Sequence, residues 1–369
     1  MEKSKVYFTS FHTEHEESPL SKLRRLLTTA GLPQMDLKGK FVAIKIHFGE
    51  KGNTAYLRPA YAKVVADLLK EMGARPFLTD CNTLYPGSRR NALDHIETAL
   101  ENGFGPMQVG CPLLIGDGLM GTDDVAVPIE GEYCKEALIG RAVMDAEAII
   151  SLNHFKGHEA TGIGGALKNL GMGCGSTGGK RAMHHEGKPT VRQKWCIGCG
   201  LCEKQCAHGA ISFEETPKGR RAFIDHDKCT GCHRCVGACY KRGAILGPDS
   251  SNDILNCKIA EYAWAVIKDR PNFHISLVMD VSPRCDCYGG NDTPVIPDLG
   301  MFASFDPVAL DTACADACNK APRISCACEG RDTGDLFTDI APVTNWRVAV
   351  EHGEKLGMGS TEYELIEVQ

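Results

Sequence analysis

Apolar and polar positions along this chain follow two rhythms, one of period two and one of period 3.6. Residues 5–11 (KVYFTSF) read as a strand, and Ser18-Pro19 opens a helix to Ala30, closed by Gly31 and Pro33. Residues 41–48 (FVAIKIHF) alternate again, which puts Lys45 and His47 on one face. Residues 59–72 have helical spacing and stop at Gly73; residues 76–80 form a short strand. A Cys81-Asn82-Thr83 loop then leads to a helix over 88–101. Residues 125–129 are a short strand, 134–145 have helical spacing, and 148–152 suit a buried strand. Past position 250 the rhythm resumes with a helix over 253–268 and a strand over 274–280. Asp306-Pro307 then starts a helix, and 363–368 read as a last strand. Alternating strands and helices predict an α/β domain with a large, mixed or mostly parallel sheet.

Such sheets bind ligands beyond the carboxyl ends of their strands. The polar residues there are Lys45, His47, Asp80, His154, Lys156 and His158, followed by Lys168 in a glycine-dense run over 162–180. That run fails the phosphate-loop pattern: Cys174 stands where a glycine is needed, and Arg181 replaces the hydroxyl residue that would hold magnesium. It reads as flexible backbone able to approach an anion, a cluster or a substrate, or as a structural turn against the sheet.

The pattern is interrupted at 190–248. Cys196, Cys199, Cys202 and Cys206 are spaced C-x2-C-x2-C-x3-C, and Cys229, Cys232, Cys235 and Cys239 repeat it 33 residues later. Three close cysteines wrap one [4Fe–4S] cube and the fourth reaches the other cube. Cys196, Cys199, Cys202 and Cys239 are therefore expected on one cluster, and Cys229, Cys232, Cys235 and Cys206 on the other. Zinc wants paired knuckles with four ligands per ion, which fits this pattern poorly. Between the halves, Pro217-Lys218-Gly219 marks a hairpin turn. Lys188-Pro189-Thr190 looks like the entrance to this module and Gly247-Pro248-Asp249 like its exit. The expected organisation is thus 1–189 and 249–369 as two parts of one α/β domain, with 190–248 as an α+β, ferredoxin-like insert.

Composition adds three points. The 369 residues exceed a ferredoxin by enough to build a large second core. There are 19 cysteines, and a chain that keeps thiolates free for iron belongs in a reducing cytoplasm. No apolar stretch approaches a membrane span and no signal peptide is expected. The net charge is −6, yet residues 180–242 carry 13 Lys and Arg against 6 Asp and Glu. Nucleic acid is one reading of such an island; compensation of anionic clusters is the simpler one.

His154-Phe-Lys156-Gly-His158, Lys168-Asn169, Cys285-Asp-Cys287 and Ser304-x-Asp306-Pro307-Val-Ala-x-Asp311, around a two-cluster insert, resemble the DUF362 family of iron–sulfur proteins. The resemblance implies the fold and the clusters and supplies no reaction. Our expectation is an oxidoreductase passing low-potential electrons from a partner protein through two [4Fe–4S] clusters to a reductive site. There Lys45, His47, His154, Lys156, His158 and Lys168 would bind a small anionic substrate or deliver protons. An electron carrier and a scaffold for cluster or metal assembly are the alternatives. Cys285 and Cys287, with Cys174 and Gly173 on the glycine run, form a candidate third site. If extended, Cys285 and Cys287 point to one side. A third cluster or metal, an unliganded structural pair and a redox disulfide all remain open there.

Overall fold

The computed structural model describes every residue except 1, 2, 15, 16, 86, 207, 230–233, 240, 241, 248, 249 and 325–329, and the side chain of Arg234. Cys232, Cys326, Cys328 and the Pro248-Asp249 exit therefore lie outside the described residues.

One eight-stranded sheet organises the chain. Its strands are β1 (Ser4–Ser10), β2 (Phe41–Lys45), β3 (Arg75–Asp80), β4 (Leu113–Ile115), β5 (Ala148–His154), β6 (Asn272–Val278), β7 (Gly300–Ser304) and β8 (Tyr363–Glu367). They lie side by side in the order β8-β1-β7-β6-β5-β2-β3-β4. Only β7 runs against its neighbours; every other pair is parallel. The sheet is therefore mostly parallel, as expected. Period-two alternation assigns its two faces. Val42 and Ile44 of β2 enter one core, with Ile150 and Leu152 of β5, while Ala43 and Ile149 enter the other.

Helices cover both faces. α1 (Pro19–Thr29) starts from a Ser18 cap and α2 (Pro59–Glu71) from a proline. α3 spans Ala92–Glu101 and begins four residues later than its apolar spacing suggests, because the Asn91 side chain caps it. The glycine run folds as two helices, α4 (Ala166–Cys174) and α5 (Thr177–His184). This corrects the reading of it as flexible backbone. Gly171 lets α4 lie against α6 (Asn252–Ile267), where a Cβ would stand 2.1 Å from the Ile259 carbonyl oxygen. A second correction concerns residues 134–145, which form strand Glu136–Gly140 and the short helix Arg141–Asp145. The strand pairs with Asp124–Pro128, and ladder bonds to a distant segment outweigh the local helical spacing. α7 (Pro307–Lys320) is capped by Asp306 and α8 spans Arg347–Lys355.

The insert leaves this domain through a narrow neck. Thr190–Val191 pairs antiparallel with Ile245–Leu246, so the two connections run side by side. Beyond the neck, Cys196, Cys202, Ile211, Ala222, Cys235, Ala244 and Ile245 form a small core of their own. Ile211–Thr216 and Gly219–Ile224 form the hairpin. We expect replacement of residues 192–244 by a short glycine linker to yield a soluble protein that unfolds in one transition, because paired ends need little loop closure. Aggregation of that product, under conditions where the whole chain is soluble, would refute the autonomy of the α/β domain.

Candidate functional site

Strands β2, β3, β5 and β6 are parallel neighbours, so their carboxyl ends share one edge of the sheet. A cavity of about 630 Å³ opens there. Lys45, His47, His154, Lys156, His158, Lys168, Gly173, Cys285 and Cys287 all line it. Residues far apart in the chain are thus brought together by the strand order, by α4 and by the loops that follow the strands.

The cavity has two halves, each built on a buried carboxylate. Asp80, at the end of β3, meets Lys45 Nζ at 2.9 Å, Arg89 at 3.3 Å and His95 at 3.7 Å. Burial opposes its ionisation, but the Lys45 charge, with His95 beside it, outweighs it and holds the carboxyl well below its usual range. Arg89 also reaches Glu50 at 3.4 Å and donates to the Tyr85 hydroxyl. His47 Nδ1 accepts from the Gly49 N–H at 3.0 Å. Burial and the Arg89 charge push the His47 imidazole well below its usual value. The ring is therefore neutral near pH 7, with its proton on Nε2.

Asp286 anchors the other half. It contacts His154 Nδ1 at 2.9 Å and Lys156 Nζ at 3.1 Å. Burial raises its pKa, yet His154 and Lys156 together hold it well below the carboxylate range. His154 Nε2 donates to the Met279 carbonyl at 2.7 Å. Both ring nitrogens of His154 are thus engaged within the protein, which suits positioning better than the expected proton delivery. Likewise Lys45 and Lys156 spend their charges on Asp80 and Asp286. Lys168 differs: its Nζ lies 3.6 Å from Cys285 Sγ. Burial works against its charge, but Cys285 and Cys287 raise its pKa.

Residues 285–288 are not extended. A turn closed by the Tyr288 N–H on the Cys285 carbonyl, at 3.1 Å, brings the two thiols together. His158, Cys285 and Cys287 offer side-chain atoms within 4.8 Å of one another. Cys174, the expected third thiol, is elsewhere. It is fully buried in the core, and its thiol faces the Asn169 carbonyl of its own helix at 4.0 Å. Gly173 does line the cavity, and its lack of a side chain is what admits Lys45: a Cβ would stand 2.5 Å from Nζ. Asn169 ties α4 to the strand ends by donating to the Lys45 and Leu152 carbonyls at 3.1 and 3.3 Å.

Sequence reasoning did not single out Arg89, Glu50 or Asp286 as site residues. Asp286 carried a signal, standing between two cysteines just past a strand. Arg89 carried none, because an arginine beside a loop is usually solvated.

In the insert, Cys196 and Cys202 are buried, Cys206 and Cys239 half-buried, and Cys199 exposed. Backbone N–H groups point at these sulfurs: Ala222 and Gly198 at Cys196, at 3.3 and 3.5 Å, and Ala210 at Cys206, at 3.3 Å. Burial pushes the Cys202 thiol up to about 11, and the neighbouring Cys199 and Cys239 sulfurs add to the shift. Cysteines gathered around one small core, with N–H donors aimed at their sulfurs, fit an iron–sulfur cluster, whose charge those donors and nearby cations offset.

Comparison with known proteins agrees with the reading of the insert. One component of an ion-translocating oxidoreductase complex of Methanosarcina acetivorans is 45% identical over 65 residues, 17% of this chain and 23% of that protein. One component of a Na(+)-translocating ferredoxin:NAD(+) oxidoreductase complex of Acetobacterium woodii is 28% identical over 151 residues, 40% of this chain and 43% of the relative. An uncharacterized ferredoxin of Methanocaldococcus jannaschii is 29% identical over 56 residues, 15% of this chain and 73% of its own. The chain thus spans less than half the length of the two complex components. Among solved structures, the lactate racemase apoprotein of Thermoanaerobacterium thermosaccharolyticum aligns with a TM-score of 0.38 and 11% identity, over 74% of this chain and 51% of that one. No helix among the described residues is long and apolar enough to cross a membrane. A family model described as a domain of unknown function, DUF362, matches residues 42–316, and the chain belongs to that family, carrying within it a ferredoxin-type iron–sulfur domain.

Proposed function

We propose that this protein is an iron–sulfur oxidoreductase whose reduction takes place in the strand-end cavity. Cys196, Cys199, Cys202 and Cys239 would hold one [4Fe–4S] cluster, and Cys229, Cys232, Cys235 and Cys206 the other. When bound, such clusters supply single low-potential electrons. The observation that carries the reading is the placement of Thr83 and Leu84. They line the strand-end cavity and also a second cavity, of about 410 Å³, whose other wall is Leu201, Lys204, Gln205, Gly237 and Ala238 of the insert. The loop after β3 therefore stands between the cysteine insert and the candidate reaction site.

Within the cavity, the neutral His47 offers an N–H donor and Lys168 a cation that no carboxylate neutralises at contact distance among the described residues. That set suits a small organic anion of low charge. Exposed Trp195, Ile197 and Leu201 beside the exposed Cys199 offer a face for a redox partner protein. The reading is tested by anaerobic preparation. About eight irons and eight acid-labile sulfides per chain are expected, four of each per cube. The reduced protein should be reoxidised by a small organic acid from a screened panel, at a rate that Lys168→Met lowers at least tenfold without loss of iron. Stoichiometric zinc without sulfide, or reoxidation indifferent to Lys168, would refute it.

A further inference from the structure

We propose that Cys285 and Cys287 are a redox-active dithiol that cycles with an intramolecular disulfide and reduces a small disulfide bound in the strand-end cavity. The inference rests on the reading of that cavity as the reaction site.

Geometry separates this from a metal centre. His158, Cys285 and Cys287 are close enough to share one ion. But His158 Nδ1 accepts N–H groups from both Ala160 and Thr161, at 3.1 Å each. A ring nitrogen that accepts carries no proton, so the neutral ring keeps its proton on Nε2 and has no lone pair left for a metal. A ligating histidine has the opposite arrangement, with its second nitrogen donating. His158 is instead a donor, and its ring stands within 4.8 Å of the Cys285 sulfur, whose thiolate it favours. With Cys174 turned into the core, two thiols remain, and two do not complete a zinc site or a cube.

What the two thiols can do is form a bond. The turn at 285–288 brings the two sulfurs within 4.8 Å of each other, so that side-chain rotation can join them. The pair is asymmetric. Lys168 Nζ lies 3.6 Å from Cys285 Sγ, and the neighbouring Cys287 thiol, with Lys168, Lys156 and His158, favours the Cys285 thiolate against the cost of burial. Cys287, half-buried, keeps its proton because it donates to Cys285. This is the division of labour of an attacking and a resolving cysteine. In the forward direction the Cys285 thiolate attacks one sulfur of the bound disulfide. A Cys285–sulfur bond forms and one substrate thiolate leaves. Cys287 passes its proton to that thiolate, and its sulfur then attacks Cys285. The second substrate thiolate departs, leaving the Cys285–Cys287 disulfide, one free thiol and one free thiolate. Two equivalents from a low-potential one-electron donor and one proton restore the starting thiolate and thiol.

The test uses the full chain, prepared without oxygen and equilibrated in buffers of reduced and oxidised dithiothreitol. It is then alkylated after unfolding and mapped by mass. The peptide holding both cysteines is expected to lose two labels together at a single midpoint, with iron content unchanged. In the native protein, iodoacetamide should label Cys285 below the ordinary thiol range of pH. Lys168→Met should move that labelling midpoint up by about one pH unit or more, since it removes an adjacent opposite charge. Cys287→Ser treated with glutathione disulfide should trap a glutathione adduct on Cys285. Labels that stay on the peptide across the whole buffer range would overturn the proposal, as would labelling that requires prior removal of a metal. These readings count thiols, so they can fail while cluster content and reoxidation stand, or hold while those fail.

Discussion

Asp80→Asn is expected to destabilise the α/β domain by about 3–5 kcal/mol, the cost of removing one member of a buried ion cluster. The magnitude follows from what stays behind. Lys45 and Arg89 are both buried, and Asp80 is the carboxylate that Lys45 meets at 2.9 Å and Arg89 at 3.3 Å. Glu50 would still face Arg89, but Lys45 would retain the Asn169 side-chain oxygen, at 2.7 Å, as a neutral partner. The pH dependence has a definite sign. The Asp80 carboxyl is held well below its unfolded value, so its contribution is present above about pH 4 and is lost as pH falls through the folded value. The asparagine variant should therefore be less stable at pH 7, and its stability should fall less steeply on acidification. Urea titrations at pH 7 and at about pH 3 check this. Equal stability of variant and parent at pH 7 would show that the cluster does not hold the strand ends together.

Gly171→Ala should also destabilise the domain, for a reason of shape. Its Cβ would stand 2.1 Å from a backbone oxygen of α6, which cannot move aside as a side chain tip could. α4 must shift instead, at about 1–3 kcal/mol. That helix carries Lys168, Asn169 and Gly173, so the shift reaches the cavity. Lower urea stability and slower native labelling of Cys285 are expected together. Gly290→Ala is the control, because nothing lies within 4 Å of its added Cβ and its φ needs no glycine. If Gly171→Ala behaves like that control, the close approach of the two helices is not rigid.

The strand-end location of the site was legible in the sequence. Lys45, His47, His154, Lys156, His158 and Lys168 follow strand-like runs, and period-two alternation with an α/β pattern places such residues at one edge. The cysteine spacing is equally local, since consecutive turns of chain must reach one cluster. The partners of these residues were not legible. Asp286 lies 132 positions from His154, and Cys285 lies 117 from Lys168. No rhythm in the chain reports pairings of that separation.

Local rules also misjudged several segments, among them three in which a distant contact outweighed them. The glycine run looked flexible, but its missing side chains serve close packing: Gly171 against α6 and Gly173 beside Lys45. Residues 136–140 fit a helix as well as a strand until Asp124–Pro128 supplied a ladder. Strand β7, five residues beginning with glycine, carried no alternation to mark it and exists because β1 and β6 pair with it on both sides. The sequence by itself determined which residues meet at the end of the sheet and which cysteines are spaced for iron. The tertiary structure alone decided the charge and hydrogen-bond partner of each, because a buried lysine, histidine or thiol takes its chemistry from neighbours that only folding brings within a few ångströms.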